Sequence, residues 1–176
     1  MREQLAGPRI LLRKLRRLDA PALARAAHDR EIYRNTWIPF PYTLDDAYEF
    51  IIKSEKFWKE GTAFPFTIVW NETGEIAGGI GLEMLSRRHA SAELGYWIAR
   101  KRRRQGVVSE AIALVLEWGF EDAKLHRIQA HVIEGNEASV GVLEKAGFTY
   151  EGMVRDGMKH HGRWKNLRRF SMLKGD

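Results

Sequence analysis

The chain has 176 residues, 44% hydrophobic and 30% charged, with a formal charge of +6 and no cysteine. The missing cysteine excludes a disulfide framework, a thiol nucleophile and a cysteine metal site. The positive charge favours acidic partners, whether a phosphorylated cofactor, an acidic protein surface or RNA, without choosing among them.

This length leads to the expectation of one domain over 1–176, able to bury roughly 70% of its unfolded surface. The opening MREQLAGPRILLRKLRR has no apolar core of signal-peptide length, and no stretch could span a bilayer as a helix. A cytoplasmic location and no membrane partner are therefore expected.

Ile10, Leu12 and, less regularly, Leu15 suggest a first strand at about 9–15. Asp19 is placed to cap a helix over 20–29, with Pro21 in its first turn. Residues 37–42, WIPFPY, cannot form a regular helix, because each proline restricts itself and its predecessor. This loop either walls a pocket, through Trp37, Phe40 and Tyr42, or is a stiff connector packed on the core. Thr43 and Asp46 have the spacing of a capping box for a helix to about Lys59. Ala47, Phe50, Ile51, Ser54, Phe57 and Trp58 form its expected buried face.

Gly61 should end that helix. Strands follow at 63–70, 75–84 and 91–99, the first two joined by the turn Asn71-Glu72-Thr73-Gly74. Short connections make these three an expected antiparallel meander. A helix is expected at 107–121 with Ala111, Leu114, Val115 and Trp118 inward, then a strand at 126–133. The last helix should span 136–146 and end at Gly147. Strands at 148–155 and 164–173, around Gly162, complete a mixed α/β domain with the order β-α-α-β-β-β-α-β-α-β-β.

Two stretches carry the chemistry. Glu93 to Ala111 passes from an apolar strand through five basic residues and Gly106 into a helix. N–H groups at a helix start lack intrahelical partners, and the helix dipole there favours negative charge. Arg104 through Ser109 can offer successive N–H donors to a pyrophosphate, and Arg100 to Arg104 add cationic side chains. A solvated basic loop is the other reading of such a run. The second stretch is Asn136-Glu137-Ala138-Ser139, with Asn136 as N-cap and the Ser139 hydroxyl in the first turn. Capping plus a surface hydroxyl is its alternative role. His126, His131, His160 and His161 have no metal-ligand spacing, so no metal is expected. His160 and His161 read as a solvated hairpin turn.

Together these stretches resemble the GNAT superfamily of acetyl-CoA-dependent N-acetyltransferases. Its R/Q-x-x-G-x-G/A turn is matched at Arg103 and Gly106 in Arg103-Arg104-Gln105-Gly106-Val107-Val108, with Val108 in place of the final small residue. Glu93-Leu94-Gly95-Tyr96-Trp97-Ile98, His126-Arg127-Ile128, Asn136-x-x-Ser139 and Leu143-Glu144-Lys145-Ala146-Gly147-Phe148 extend the likeness. The early R-I-L-L-R-K-L, the P-F-P-Y-T and the terminal G-R-W-K-N look like the ribosomal-protein N-terminal acetyltransferase branch, so the resemblance covers nearly the whole chain.

The resemblance implies a mostly antiparallel sheet of about seven strands, splayed at a β-bulge between the fourth and fifth, and four helices. Trp97 and Ile98 would meet the pantetheine arm. Arg103, Arg104, Gln105, Gly106, Val107, Val108, Ser109, Asn136 and Ser139 would complete the acetyl-CoA site. Ser139 would donate toward the CoA sulfur, since Leu143 stands where many members carry an acidic tyrosine. Glu93 is the candidate base, with Glu83 and water as alternatives, and an ion pair with a nearby arginine is its structural role. The expected reaction is acetyl transfer to a primary amine. The acceptor expected first is a protein N-terminus of ribosomal-protein type, with ribosome association. A small amine, or a non-enzymatic basic RNA-binding module, are the other readings, and monomer or homodimer is left open.

Overall fold

A computed structural model describes all residues 1–176. Its framework is one mixed sheet of eight strands in the order β1-β2-β3-β4-β5-β6-β8-β7. The strands are β1 (Gln4–Ala6), β2 (Ile10–Arg13), β3 (Ala63–Trp70), β4 (Ile76–Ser86), β5 (Ser91–Ile98), β6 (Arg127–Ile133), β7 (Thr149–His160) and β8 (Arg163–Leu173). Five α-helices connect them: α1 (Ala20–Ala27), α2 (Arg30–Asn35), α3 (Leu44–Glu60), α4 (Val107–Glu121) and α5 (Glu137–Lys145). The mixed α/β class and the β3-β4-β5 meander agree with the sequence reading.

Local signals set several boundaries. Thr43 and Asp46 close the expected capping box: the Thr43 hydroxyl accepts from Asp46 N–H, and the Asp46 carboxylate accepts from Thr43 N–H at 2.8 Å. Gly61 ends α3 in the left-handed region at φ 64°, where a residue without Cβ carries no steric penalty. Helix α4 buries Val107, Ala111, Ile112, Val115 and Trp118. Trp118 meets Phe64 and Phe66 edge-on at 5.0 and 5.4 Å, and burying an aromatic of this kind is worth roughly 1.5–3 kcal/mol. A core of 26 residues joins α4 and α5 to one sheet face, and a smaller one of eight gathers α1 and α3 on the other side.

The structure corrects the sequence reading in several places. The strand placed at 9–15 is β2, shorter, and a further strand β1 precedes it, which raises the count from about seven to eight. The turn between them is held from afar. Glu110 Oε1 accepts from the N–H groups of Arg9 and Ile10 at 2.9 and 3.2 Å, and Oε2 accepts from Arg9 Nε at 2.8 Å. The first helix stops at Ala27, and α2 is an additional fifth helix. Asp29, read as the end of one helix, caps the next by accepting from Glu31 and Ile32 N–H. Asp19 makes no side-chain cap on α1. Its carboxylate takes both arms of Arg13, at 2.7 and 2.8 Å, and Arg16 N–H at 2.7 Å. Phe50, expected inside, is exposed, and the final strands are longer than expected because irregular registers interrupt their alternation.

The splay is where the resemblance implied it, between β5 and β6 once β1 is counted. These parallel strands pair only from Ser91↔Arg127 to Glu93↔Gln129. Beyond that rung they part, since β5 continues with β4 while β6 continues with β8. The expected bulge is not in the parting segment. β4 and β5 keep one register from Gly78↔Ile98 to Met84↔Ala92 and shift only between Met84 and Ser86.

Candidate active site

The anion turn follows β5. A short 3-10 turn (Arg100–Arg102) leads to Arg104 at φ 59° and Gly106 at φ 73°, and α4 starts at Val107. None of the main-chain N–H groups from Arg104 to Ser109 finds an acceptor in the chain. Six consecutive donors at a helix start form a cradle with the chemistry of a phosphate site. Val108 is half-buried, and Gln105 and Gly106 beside it are exposed.

The side chains around this turn divide their work. Arg103, expected to meet the cofactor, is turned away: its guanidinium holds Glu31 at 2.6 Å, Asp29 at 3.1 Å and the Ile98 carbonyl at 3.3 Å. Lys101 and Arg102 share Glu75 at 2.9 and 3.1 Å, and Arg102 lies over the Trp70 ring. Gln105 folds back onto the Lys101 carbonyl, while its own carbonyl accepts from Arg9 at 2.7 Å. Arg100 and Arg104 have no carboxylate partner. The turn is therefore braced by cations, and its backbone donors are left free.

A cleft of about 950 Å³ opens at the fork between β5 and β6. Trp37, Tyr42, Glu83, Glu93, Trp97, Asn136 and Ser139 all line it. Phe40 does not. It lies in a separate basic concavity beside Arg30, 4.9 Å from the His28 ring. Ile98 is buried in the main core. Trp97 turns to the opposite side, and a Cβ at Gly79 would stand 2.5 Å from its indole nitrogen. The glycines of β4 thus admit a large ring across the strand.

Two chemically different groups meet at the fork. On the α5 side, Asn136 accepts from Ser139 N–H and donates to Ser139 Oγ at 3.1 Å. The hydroxyl proton of Ser139 has no acceptor in the chain and remains free to donate. Tyr96 O–H donates to the Ser139 carbonyl at 3.4 Å, and burial holds the phenol above its ordinary pKa. On the other side stand Glu93 and Glu83, register partners across β5 and β4. Glu93 Oε1 lies 3.1 Å from His131 Nδ1, and Gln129 donates to Oε2 at 3.5 Å. Glu83 has no partner. At the mouth, burial and the nearby charge of Asp46 push the Tyr42 phenol up to about 12.

Tyr96 and His131 were not singled out for chemistry in the sequence, since each follows strand alternation like any sheet residue. Of the hairpin histidines, His161 is exposed as expected and His160 is not. His160 is buried with Nε2 2.8 Å from the Thr36 carbonyl, and His161 stacks on Tyr33 at 3.7 Å.

A family profile described as an acetyltransferase (GNAT) domain matches residues 9–149. The chain belongs to the GNAT acetyltransferase family. It is 34% identical over 173 residues to an uncharacterized N-acetyltransferase of Bacillus licheniformis, covering 98% of this chain and 97% of that protein. It is 30% identical over 112 residues to the ribosomal protein uS5 alanine N-acetyltransferase of Escherichia coli, covering 63% and 58%. Among solved structures, Mycobacterium smegmatis RimJ in complex with a CoA disulfide aligns with a TM-score of 0.85 at 25% identity, over 97% of this chain and 85% of that one. As a GNAT enzyme the protein is an acetyltransferase that uses acetyl-CoA, which supplies an activated acetyl carbon on a sulfur leaving group. No helix is long and apolar enough to cross a membrane.

Proposed function

We propose that the acceptor is the N-terminal amine of a protein, of the ribosomal-protein type, reached through the cleft at the β5–β6 fork. The observation that carries this reading is the cleft at the fork, where a hydroxyl with an uncommitted proton stands on the α5 side and two carboxylates, Glu83 and Glu93, on the other. The uS5-modifying relative supports the choice of acceptor. In this reading the N–H groups of Arg104 to Ser109 hold the pyrophosphate, and β5 beyond Glu93 lies along the pantetheine arm. Ser139 steadies the departing thiolate, and Glu93 serves the proton-accepting side. Trp37, Tyr42 and Glu83 line the acceptor's entry, and association with the ribosome would bring the amine to it.

A small polyamine or aminoglycoside is the second reading. Asp46, Glu49, Glu83 and Glu93 in the cleft face only Lys53 as an opposing permanent charge, which suits a cationic acceptor. The test is acetyl transfer from acetyl-CoA to peptides with Ala, Ser or Met N-termini, and to spermidine and an aminoglycoside. Released CoA is read with a thiol reagent, to which a cysteine-free protein adds no background. Peptide acetylation supports the proposal. Turnover of small amines with peptides untouched moves the assignment to them, and no acetyl-CoA binding by calorimetry in a folded sample overturns the site.

A further inference from the structure

We propose that His131 is the general base of this site and that Glu93 is its positioning residue, a division of roles that rests on the acetyl-transfer reading above. The argument starts from register. β5 and β6 run parallel and pair last at Glu93↔Gln129. His131 is two residues further along β6, so it faces the same side as Gln129, at the point where the strands part. Its Nδ1 lies 3.1 Å from Glu93 Oε1, and Nε2 has no partner in the chain. Both side chains line the cleft and are partly shielded, His131 at 20% and Glu93 at 35% exposure.

A carboxylate 3.1 Å from Nδ1 favours one tautomer. The neutral ring carries its proton on Nδ1, toward Glu93, and leaves the Nε2 lone pair free. Glu93 then stands as the ion-pair partner of the ring, 3.1 Å from Nδ1, and Gln129 donates to its other oxygen at 3.5 Å. A carboxylate paired with the ring and accepting from Gln129 is well placed to orient and to stabilise an imidazolium, and less well placed to take a proton itself. The other ionisable groups facing this corner are Glu83 on β4, Tyr96 on β5 and Arg169 on β8, the register partner of His131. Arg169 is drawn onto Glu151 of β7 at 3.3 Å. From α3, Asp46, Glu49 and Lys53 line the same cleft.

The acceptor ammonium gives one proton to Nε2, from which it passes to solvent. The neutral amine then attacks the thioester carbonyl, forming C–N as C–S breaks. The second proton lost by nitrogen balances the one taken up by the departing thiolate.

The experiment compares pH–rate profiles of the wild type, His131→Gln and Glu93→Gln, using the best peptide from the acceptor panel, with acetyl-CoA affinity measured in parallel. His131→Gln should lower kcat/KM about a hundredfold or more, leave acetyl-CoA binding unchanged and abolish the acid limb. Glu93→Gln should cost less and move that limb to lower pH. Loss of the limb in Glu93→Gln with its retention in His131→Gln would make Glu93 the base, and a limb unmoved in both would discard the pair. If no acceptor in the panel is acetylated, the acceptor assignment fails, and imidazole 15N spectra of the CoA-bound protein decide the dyad on their own. A Nδ1–H tautomer at His131 that loses its preference in Glu93→Gln supports it, and an Nε2–H tautomer overturns it.

Discussion

Replacing Ser139 by alanine separates the proposed catalytic role of its hydroxyl from its structural surroundings. The cap on α5 is a bond from Ser139 N–H to the Asn136 side chain at 3.3 Å, and alanine keeps that donor. What disappears is the acceptor of Asn136 Nδ2 at 3.1 Å and the free hydroxyl proton. Losing a partly buried neutral hydrogen bond costs about 1 kcal/mol of stability. Losing a hydrogen bond to a developing thiolate costs about 1.5–3 kcal/mol of transition-state stabilisation, or roughly tenfold to a hundredfold in kcat. Stopped-flow detection of released CoA at saturating acetyl-CoA and peptide measures that rate, and calorimetry measures the affinity. The expected outcome is a rate loss of that size with acetyl-CoA binding within about twofold of wild type. An unchanged rate would remove Ser139 from the mechanism, and a matched loss of affinity would make it a binding group instead.

Four further substitutions test the scaffold. Gly106→Ala places a Cβ at φ 73°, 3.1 Å from the Arg9 guanidinium; it should lose about 1–2 kcal/mol in urea denaturation and weaken acetyl-CoA binding. Gly78→Ala would drive a Cβ into the Trp97 carbonyl, whereas a Cβ at Gly95 meets nothing within 4 Å. The first should lower the melting temperature and the second should leave it nearly unchanged, and equal effects would refute the close packing of β4 on β5. Glu151 is held from 4.5 down to about 2, chiefly by its hydrogen bonds from Arg127. A depressed carboxylate contributes stability above its unfolded pKa, lost as pH falls through the folded value. Denaturant midpoints should therefore fall between pH 4.5 and about 2, and Glu151→Gln should show a smaller fall over that window.

Elements whose causes are local were legible in the sequence. Helix 107–121 has its observed bounds because a glycine precedes a continuous apolar stripe, and Thr43 with Asp46 states the start of α3 within four residues. Elements held by distant partners were not. β1 buries only Leu5, and its turn is set by Glu110 on the far side of the chain. α2 follows α1 across two residues, and its cap Asp29 is also an ion-pair partner of Arg103. The site shows the same division. The anion turn and the Asn136–Ser139 cap are contiguous motifs, so their residues could be named. Phe40 was misassigned because a proline-rich loop has no periodicity from which to read the direction of a side chain. His131 was missed because its value depends on the parallel register of β5 and β6, two strands with a helix between them.

In the proposed mechanism the two halves of the chemistry come from opposite faces of one sheet, and the fork is what makes this workable. Along β5, Glu93 and Trp97 share one face, and Tyr96 and Ile98 the other. Accordingly Ile98 and Tyr96 belong to or pack on the α4–α5 core, while Trp97 packs on the α1–α3 core. In a continuously paired sheet the backbone would separate a hydroxyl on the α5 side from a base on the other. Here pairing stops at Glu93↔Gln129. In the proposed mechanism Ser139 reaches a thioester in the gap from one face while His131 and Glu93 meet the amine from the other. A leaving group and a nucleophile on opposite sides of a carbonyl need such an opening, and the parallel pair with short overlap provides it.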